Sequence, residues 1–491
     1  MPATTVLILQ RTSVRKPKRR SPPARAPVKE SPMQPDLLPA AIADRLHQPE
    51  LRLLLEGLDI GSDATLTDPF ILTSAGRIVL GAPILAASGD SLFQLRHAME
   101  LGWLAAVAEP ALAALAAARC AALAVAMETD GGSGVSLPAW VAPMASQTAP
   151  DLSIARLVWA RLARHQPSLT ALALTEATYD RLVDAWALLG PTEWLMEQGG
   201  DARLATDPFT GLNGYGCSHR PRPWAVTFAS STASSCSERG YLGAEAARRR
   251  MIAASFRDRA GEAVTAEAER VRQALALHFL LPPDTAVVLA ASGTDSELIA
   301  LALAAAAEAR PITNILLAPE ETGSGVPLAA RGRHFAIDTA RGRPVPKGET
   351  IAGFRDDTSL AAIAVRLPDG GVRPAAAVDA DCAAAVEAAI AAGRRPVLHV
   401  LNVSKTGLRA PSMSCAVALA SRYGMALDVI VDACQTRLNP GTVRDYIGRG
   451  WIVQITGSKF FTGPPFSGAL LAPAAVAARL AFCPLPAGHD L

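Results

Sequence analysis

The chain lacks the features that announce several common kinds of protein. Its seven cysteines (Cys120, Cys217, Cys236, Cys382, Cys415, Cys434 and Cys483) are scattered through 491 residues, and no two form a CxxC pair. An odd, dispersed set of this kind argues against a disulfide framework and a cysteine-based zinc site, and it fits a reducing cytoplasm. The eight histidines include no HExxH, so no metal site is expected. No GxxxxGK[ST] phosphate loop is present, because Gly457-Ser458-Lys459 has the wrong order. Aromatic residues make up only 5%. Charge of one sign is also missing. Forty-seven basic and 45 acidic residues leave a net charge of +2, which gives no reason to expect nucleic acid or an acidic membrane surface as a partner. The most apolar stretch, Leu104 to Met127, is interrupted by Glu109, Pro110 and Arg119. A buried helix pair is expected there in place of a membrane span. Residues 1–36 carry Arg11, Arg15, Lys16, Lys18, Arg19 and Arg20 but no continuous apolar stretch, so they read as a disordered basic tail and not a secretory signal.

What is present is ample apolar material: half of the residues are hydrophobic, enough for two or three domains. Residues 37–205 read as a globular module of unknown role. Residues 77–81 and 83–87 have strand character there, and helical spacing runs over Leu92–Leu101, Ala111–Ala126 and Ile154–Arg164. Residues 206–225, rich in Gly and Pro, read as a linker. From 226 to 491 strands and helices alternate. Strands are predicted at Val287–Ala291, Asn314–Ala318, Ala362–Arg366, Pro396–Asn402, Leu427–Asp432, Trp451–Thr456 and Ala469–Ala472. Helices are predicted at Ser296–Ala309, Asp379–Ala392 and Ser412–Tyr423. Short apolar strands separated by helices imply an α/β fold with a mostly parallel sheet covered on both faces. Ligands of such sheets bind at the carboxyl ends of the strands.

Four strand-end segments carry residues suited to chemistry. Ala290-Ala-Ser-Gly-Thr-Asp-Ser-Glu297 opens a helix with small residues, whose free N–H groups can hold a phosphate; alone it is also an ordinary N-cap. Asp432 follows a buried apolar strand, where an acid needs a cationic partner such as a protonated pyridine nitrogen; alone it too can be an N-cap. Lys459 lies between an apolar strand and a Gly/Pro-rich bend, a poor setting for a solvated surface charge and one that suits Schiff-base chemistry; alone it can be a snorkelling surface lysine. His399-Val-Leu-Asn-Val-Ser-Lys-Thr-Gly407 is a further strand end with hydrogen-bonding side chains.

Together these segments resemble the class V aminotransferase and cysteine desulfurase group of pyridoxal-5′-phosphate (PLP) enzymes of fold type I. The resemblance rests on Phe228-Ala-Ser-Ser-Thr232, Gly293-Thr294-Asp295, Asn402 with Thr406-Gly407, Val431-Asp432-Ala433-Cys434-Gln435, and Thr456-Gly457-Ser458-Lys459 with Gly463-Pro464, in that order. It covers roughly 226–473, about half of the chain. It implies an aspartate-aminotransferase-like large domain with PLP as Schiff base on Lys459, which also moves the Cα proton. Asp432 would pair with the pyridine nitrogen. Gln435 and Asn402 would reach the phenolic oxygen, and Gly293, Thr294, Thr456 and Ser458 would hold the phosphate. The implied activity is amino-group transfer on an amino acid or amine. A PLP-dependent lyase, or a non-catalytic subunit of a split assembly, are the alternatives. A cytoplasmic homodimer is implied as well. Two departures stand out. The loop Pro319–Gly325 has no aromatic residue to stack on the ring. The chain also ends soon after Lys459, so the small C-terminal domain is expected to be missing or supplied by a second chain. Arg220 and Arg222 are candidates to replace its substrate-binding arginine.

Overall fold

The computed structural model describes residues 71–72, 78–79, 89–129, 136–165, 173–198, 200–207, 210, 212–222, 230–257, 259–317, 321–339 and 343–481. The tail at 1–36 and the segments at 83–87 and 226–229 lie outside them, as do Phe228 and Ala229 of the family-like opening.

Up to residue 198 the regular elements among the described residues are helices, apart from a two-residue ladder, Ile71–Leu72 against Ile78–Val79. The helices are α1 (Gly89–Leu104), α2 (Pro110–Thr129), α3 (Leu152–His165), α4 (Glu176–Ala185) and α5 (Thr192–Glu197). Helix α2 is Ala-rich and apolar on all sides, so it forms the centre of this layer; Ala111 to Val125 are all buried. By length and composition its Pro110–Met127 window could cross a membrane, contrary to the sequence expectation, but 83% of that window is packed inside the protein.

Two helices follow, α6 (Glu238–Ser255) and α7 (Ala260–His278). Helix α6 contributes Ile252, and Phe256 just beyond it, to the core of the helical layer. That core therefore reaches past the sequence boundary at 226.

The remainder is one sheet. Its strands are β1 (Ala286–Ala290), β2 (Ile312–Leu317), β3 (Ser359–Ile363), β4 (Arg395–Asn402), β5 (Arg409–Ala410), β6 (Asp428–Asp432), β7 (Ile452–Thr456) and β8 (Gly468–Ala472). The order is β1-β8-β7-β6-β4-β2-β3, with β5 paired to β4. Strands β2, β3, β4, β6 and β7 run parallel, whereas β8 is antiparallel to both β1 and β7. The expected mostly parallel α/β architecture is present.

Side-chain alternation assigns the two faces. Val397, Ile430, Ile452 and Leu470 pack on helix α8 (Gly293–Ala305). Leu398, Val429, Val431, Val453 and Leu471 turn to the opposite face. There they meet α10 (Ala375–Ala391), α11 (Met413–Tyr423) and α12 (Pro440–Gly448); α9 is a single turn, Val326–Ala329. Because both faces are covered, the strands are continuous apolar runs. The carboxyl ends of β4, β6 and β7 therefore open side by side.

Candidate active site

Three strand ends and one helix start converge. Asp432 is the last residue of β6; it is half-buried and its Oδ1 accepts from the Cys434 N–H at 3.0 Å. Register places it opposite Leu401 of β4 and Gln454 of β7. Asn402 is thus one step further along on one side. Lys459, also half-buried, follows the end of β7 on the other. Gly293 opens α8 so close to these ends that a Cβ built on it would stand 2.5 Å from Cys434 Sγ and 3.4 Å from Thr456 Cγ2. Only glycine allows this approach of helix to sheet.

The predicted residues differ in what their side chains are free to do. Gln435 is buried and its Oε1 accepts from Ser230 Oγ at 2.5 Å. Asn402 Nδ2 donates to the Tyr446 hydroxyl at 3.0 Å, and its Oδ1 is buried without a partner. Thr294 N donates to Ser292 Oγ, the N-cap of α8, at 3.2 Å. Thr456 Oγ1 donates to the Cys434 carbonyl, so that hydroxyl proton is committed to the backbone. Ser458 is fully buried, with its Oγ 3.4 Å from Thr232 Oγ1. Arg220 and Arg222 are engaged elsewhere. The first lies 3.9 Å from Glu193, and the second donates to the Gly216 carbonyl at 3.1 Å.

Backbone strain marks the same place. Among the described residues five non-glycines have positive φ; two directly follow predicted site residues and two lie in the loop after Lys459. Val403 (φ 61°) follows Asn402, Thr436 (52°) follows Gln435, and Thr462 (54°) and Phe466 (53°) lie in the loop after Lys459. A β-branched residue in the left-handed region is costly, on the order of 1–3 kcal/mol. Such strain collects where the surroundings fix a functional geometry.

Beneath Asp432 lies a polar cluster whose Glu297 and His399 fall in two of the strand-end segments above, where neither was given a role. Glu297 of α8 accepts from Gln454 Nε2 at 2.8 Å. His399 Nε2 lies 3.1 Å from Asn314 Oδ1 and 3.3 Å from Glu297 Oε1. Burial pushes the Glu297 carboxyl up to about 8, with Asp432 adding to the rise, and lowers His399 to about 3. The 3.3 Å contact therefore joins two neutral groups at pH 7 and is not an ion pair. Glu297, His399, Gln454, Thr322 and Asp432 line a cavity of about 10 Å³, the room of a single water.

Two further groups complete the electrostatics. Burial, then the charge of Asp432, raises the Cys434 thiol well above its ordinary value; it is not a poised nucleophile. Lys405, in the loop after β4, is lowered by partial burial and then by the charge of Lys459, against Asp432 and Glu321. A lysine within a strand-end loop was visible in the sequence, but that the charge of Lys459 acts on it was not.

No family model matches the chain, and no curated protein matches it. Solved structures overlap it in part. The histidinol-phosphate aminotransferase from Clostridium acetobutylicum is 12% identical, with a TM-score of 0.29 over 44% of this chain and 54% of that one. The glutamate decarboxylase domain of the diaminobutyrate-pyruvate transaminase and L-2,4-diaminobutyrate decarboxylase from Vibrio parahaemolyticus is 15% identical, with a TM-score of 0.33 over 50% and 52%. Catharanthus roseus tryptophan decarboxylase in complex with L-tryptophan is 15% identical, with a TM-score of 0.35 over 51% and 53%. The chain thus spans about half the length of these structures.

Proposed function

We propose that the chain binds pyridoxal 5′-phosphate at the carboxyl ends of β4, β6 and β7 and transfers the amino group of an amino acid or amine. One observation carries the reading: a half-buried carboxylate and a half-buried amine end adjacent parallel strands, against a helix start held close by Gly293. The donor set suits the group. Asp432 offers a fixed carboxylate for a ring N–H, because its own backbone turn already orients it. Turning the Asn402 amide over lets the Tyr446 hydroxyl donate to Oδ1 and frees Nδ2 for an anionic oxygen. The start of α8, with Thr294 and Ser458, suits a phosphate. Burial raises the Asp295 carboxyl in that turn, which lessens its repulsion of an anion.

Bound there, the cofactor supplies a carbonyl carbon that takes an amine, and a ring that draws electrons from the carbon beside it. The chain's residues do the rest. Lys459 Nζ would hold the cofactor and, when free, would take or return a proton at the amine-bearing carbon of the substrate. Asp432 holds the ring proton in place. Transfer and lyase chemistry share this apparatus and differ in which bond at the substrate carbon is aligned for cleavage.

Borohydride reduction of the full chain incubated with PLP, followed by peptide mapping, tests the reading. The expected product is a pyridoxyl group on the peptide spanning Gly457 to Phe460, with the visible band absent in Lys459→Ala. A modified lysine elsewhere, or no band at all, sinks it and favours a non-catalytic subunit. Conversion of bound cofactor to its amine form with release of the matching carbonyl compound, a keto acid from an amino acid or an aldehyde or ketone from an amine, separates transfer from a lyase, which would instead expel ammonia, carbon dioxide or the substrate's sulfur.

A further inference from the structure

We propose that Glu297 points a carboxyl proton into the small cavity beneath Asp432 and, through one water seated there, holds Asp432 in its ionised form. This makes Glu297 a positioning residue for the proton on the cofactor ring, and it rests on the reading above. The donors and acceptors around the cavity leave that proton one direction. Asn314 Nδ2 donates to the Ala330 carbonyl at 2.5 Å, which fixes the amide with its oxygen turned to His399. An amide oxygen only accepts, so His399 Nε2, 3.1 Å away, carries a hydrogen and donates it there. That nitrogen is then no acceptor for Glu297, although Oε1 stands 3.3 Å from it. The other carboxyl oxygen, Oε2, accepts from Gln454 Nε2 at 2.8 Å. Glu297 Oε1 is thus buried without a hydrogen-bond partner among the described residues, and so is Thr322 Oγ1. Both residues line the cavity together with Asp432.

Two buried oxygens on a polar space of about 10 Å³ make a site for one water. Leaving either oxygen unpaired would be costly. The water accepts the Glu297 proton and donates to Asp432, the charged acceptor in the lining, with Thr322 Oγ1 as its further partner. The titratable groups that face Glu297 are His399 of β4, Asp432 of β6 and the Cys434 thiol. None of them brings a positive charge at pH 7: burial keeps His399 neutral, and Asp432 is an acid. Burial of Glu297 itself works in the same direction, towards the neutral carboxyl. A hydrogen bond donated to a carboxylate favours its charged form. Asp432 therefore keeps its charge, and the shared proton stays on the ring nitrogen. An ionised Glu297 would instead set two like charges on one cavity and drive a proton onto Asp432.

Two measurements on the full chain test this. Without cofactor, infrared spectra at pH 7 should show the C=O stretch of a protonated carboxyl, and Glu297→Gln should lack it. In Asp432→Asn the band should remain but give way at lower pH, because a neighbouring negative charge is gone. Thr322→Leu fills the cavity, so the band should move to higher wavenumber as the proton loses its acceptor. With PLP isotope-labelled at the ring nitrogen, magnetic resonance should report a protonated ring in the wild type. Glu297→Gln should match it, since an amide N–H replaces the carboxyl O–H, whereas Glu297→Met should shift the resonance towards the unprotonated ring. A carboxyl band that is missing at pH 7, or that survives in Glu297→Gln, overturns the proposal. A band unmoved in Thr322→Leu turns the proton to Gln454 and overturns the water link. A ring resonance alike in wild type and Glu297→Met overturns the positioning role and leaves the cofactor reading standing. Failure of PLP to bind overturns that reading and the ring role with it, while the infrared bands still decide where the proton sits.

Discussion

At the scale of single residues, the site's chemistry is set by which groups are desolvated together. Glu297 shows this most clearly. Its folded pKa is raised to about 8, whereas an unfolded glutamate titrates near 4.3. Between those values the folded state holds a proton that the unfolded state has lost, so stability falls as pH rises through this window and levels off above it. From pH 6 to pH 9 that loss is on the order of 2–3 kcal/mol. Glu297→Gln keeps the neutral amide-like shape and the contact with Gln454 but has no proton to lose. Urea midpoints at pH 6 and pH 9 should therefore lie closer together in Glu297→Gln than in the wild type. An unchanged gap would show that Glu297 ionises normally in the fold. His399 titrates in the opposite sense. Its value is lowered to about 3, so it contributes a loss of stability as pH falls below its unfolded value near 6.5. Both groups lie in segments that the sequence marks for chemistry, but it gives neither a role. A polar residue inside Pro396–Asn402 is visible as an interruption, but its partner Glu297 lies on a distant helix, and nothing local links the two.

At the scale of elements, most of the sheet was legible because parallel strands buried on both faces are short apolar runs bounded by turn residues. Six of the seven predicted strands fall within two residues of the observed bounds. The seventh, predicted at Ala362–Arg366, is Ser359–Ile363. The run from Leu360 to Val365 is apolar throughout, so composition gives no phase, and pairing of Ser359 with Thr313 chooses the register. Arg366 instead leaves the sheet and pairs with Glu321 at 2.7 Å. What no single segment reveals is how closely α8 approaches β6 and β7, and this carries a prediction. Gly293→Ala places a methyl 2.5 Å from Cys434 Sγ, a short side chain from the end of β6 that has little room to withdraw. Overpacking of this kind costs about 1–3 kcal/mol, and PLP affinity should fall with it because the helix start moves off the strand ends. Removing the sulfur in the same chain, as Cys434→Ala with Gly293→Ala, should recover most of both, a non-additive pair. Two variants whose urea midpoints simply add would place the strain elsewhere.

At the scale of the whole molecule, helix α6 joins the two cores. Its cap residue Ser237 donates from N at 2.8 Å and from Oγ at 2.9 Å to the carbonyl of Thr462, in the loop that follows Lys459. Gly240 packs so closely on that loop that a Cβ would meet the Thr462 carbonyl oxygen at 2.8 Å. Three turns on, Arg248 is buried in the helical layer, where it donates to Glu100 Oε2 at 2.8 Å and lies 3.3 Å from Glu245. Tyr241 adds a hydrogen bond to Glu193 at 2.8 Å, and Arg96 reaches the same carboxylate at 3.0 Å. A buried pair adds little by itself, and removing one partner costs up to about 3–5 kcal/mol when the other is left uncompensated; here the cost is at the low end, because Glu100 keeps Arg96 at 3.8 Å and Trp103 Nε1 at 3.2 Å, and Glu245 keeps Arg249 at 2.8 Å. Arg248→Met should therefore destabilise the whole chain by that order and, because α6 also grips Thr462, raise the rate at which borohydride reaches the lysine linkage. Replacing the acid too, as Arg248→Met with Glu100→Gln, should return part of the stability, since less charge is left unpaired. If Arg248→Met lowered the urea midpoint yet left the reduction rate unchanged, the helical layer would be a separate folding unit resting beside the site. If both moved together, the layer whose role the sequence leaves open would be part of what holds the Lys459 turn in place.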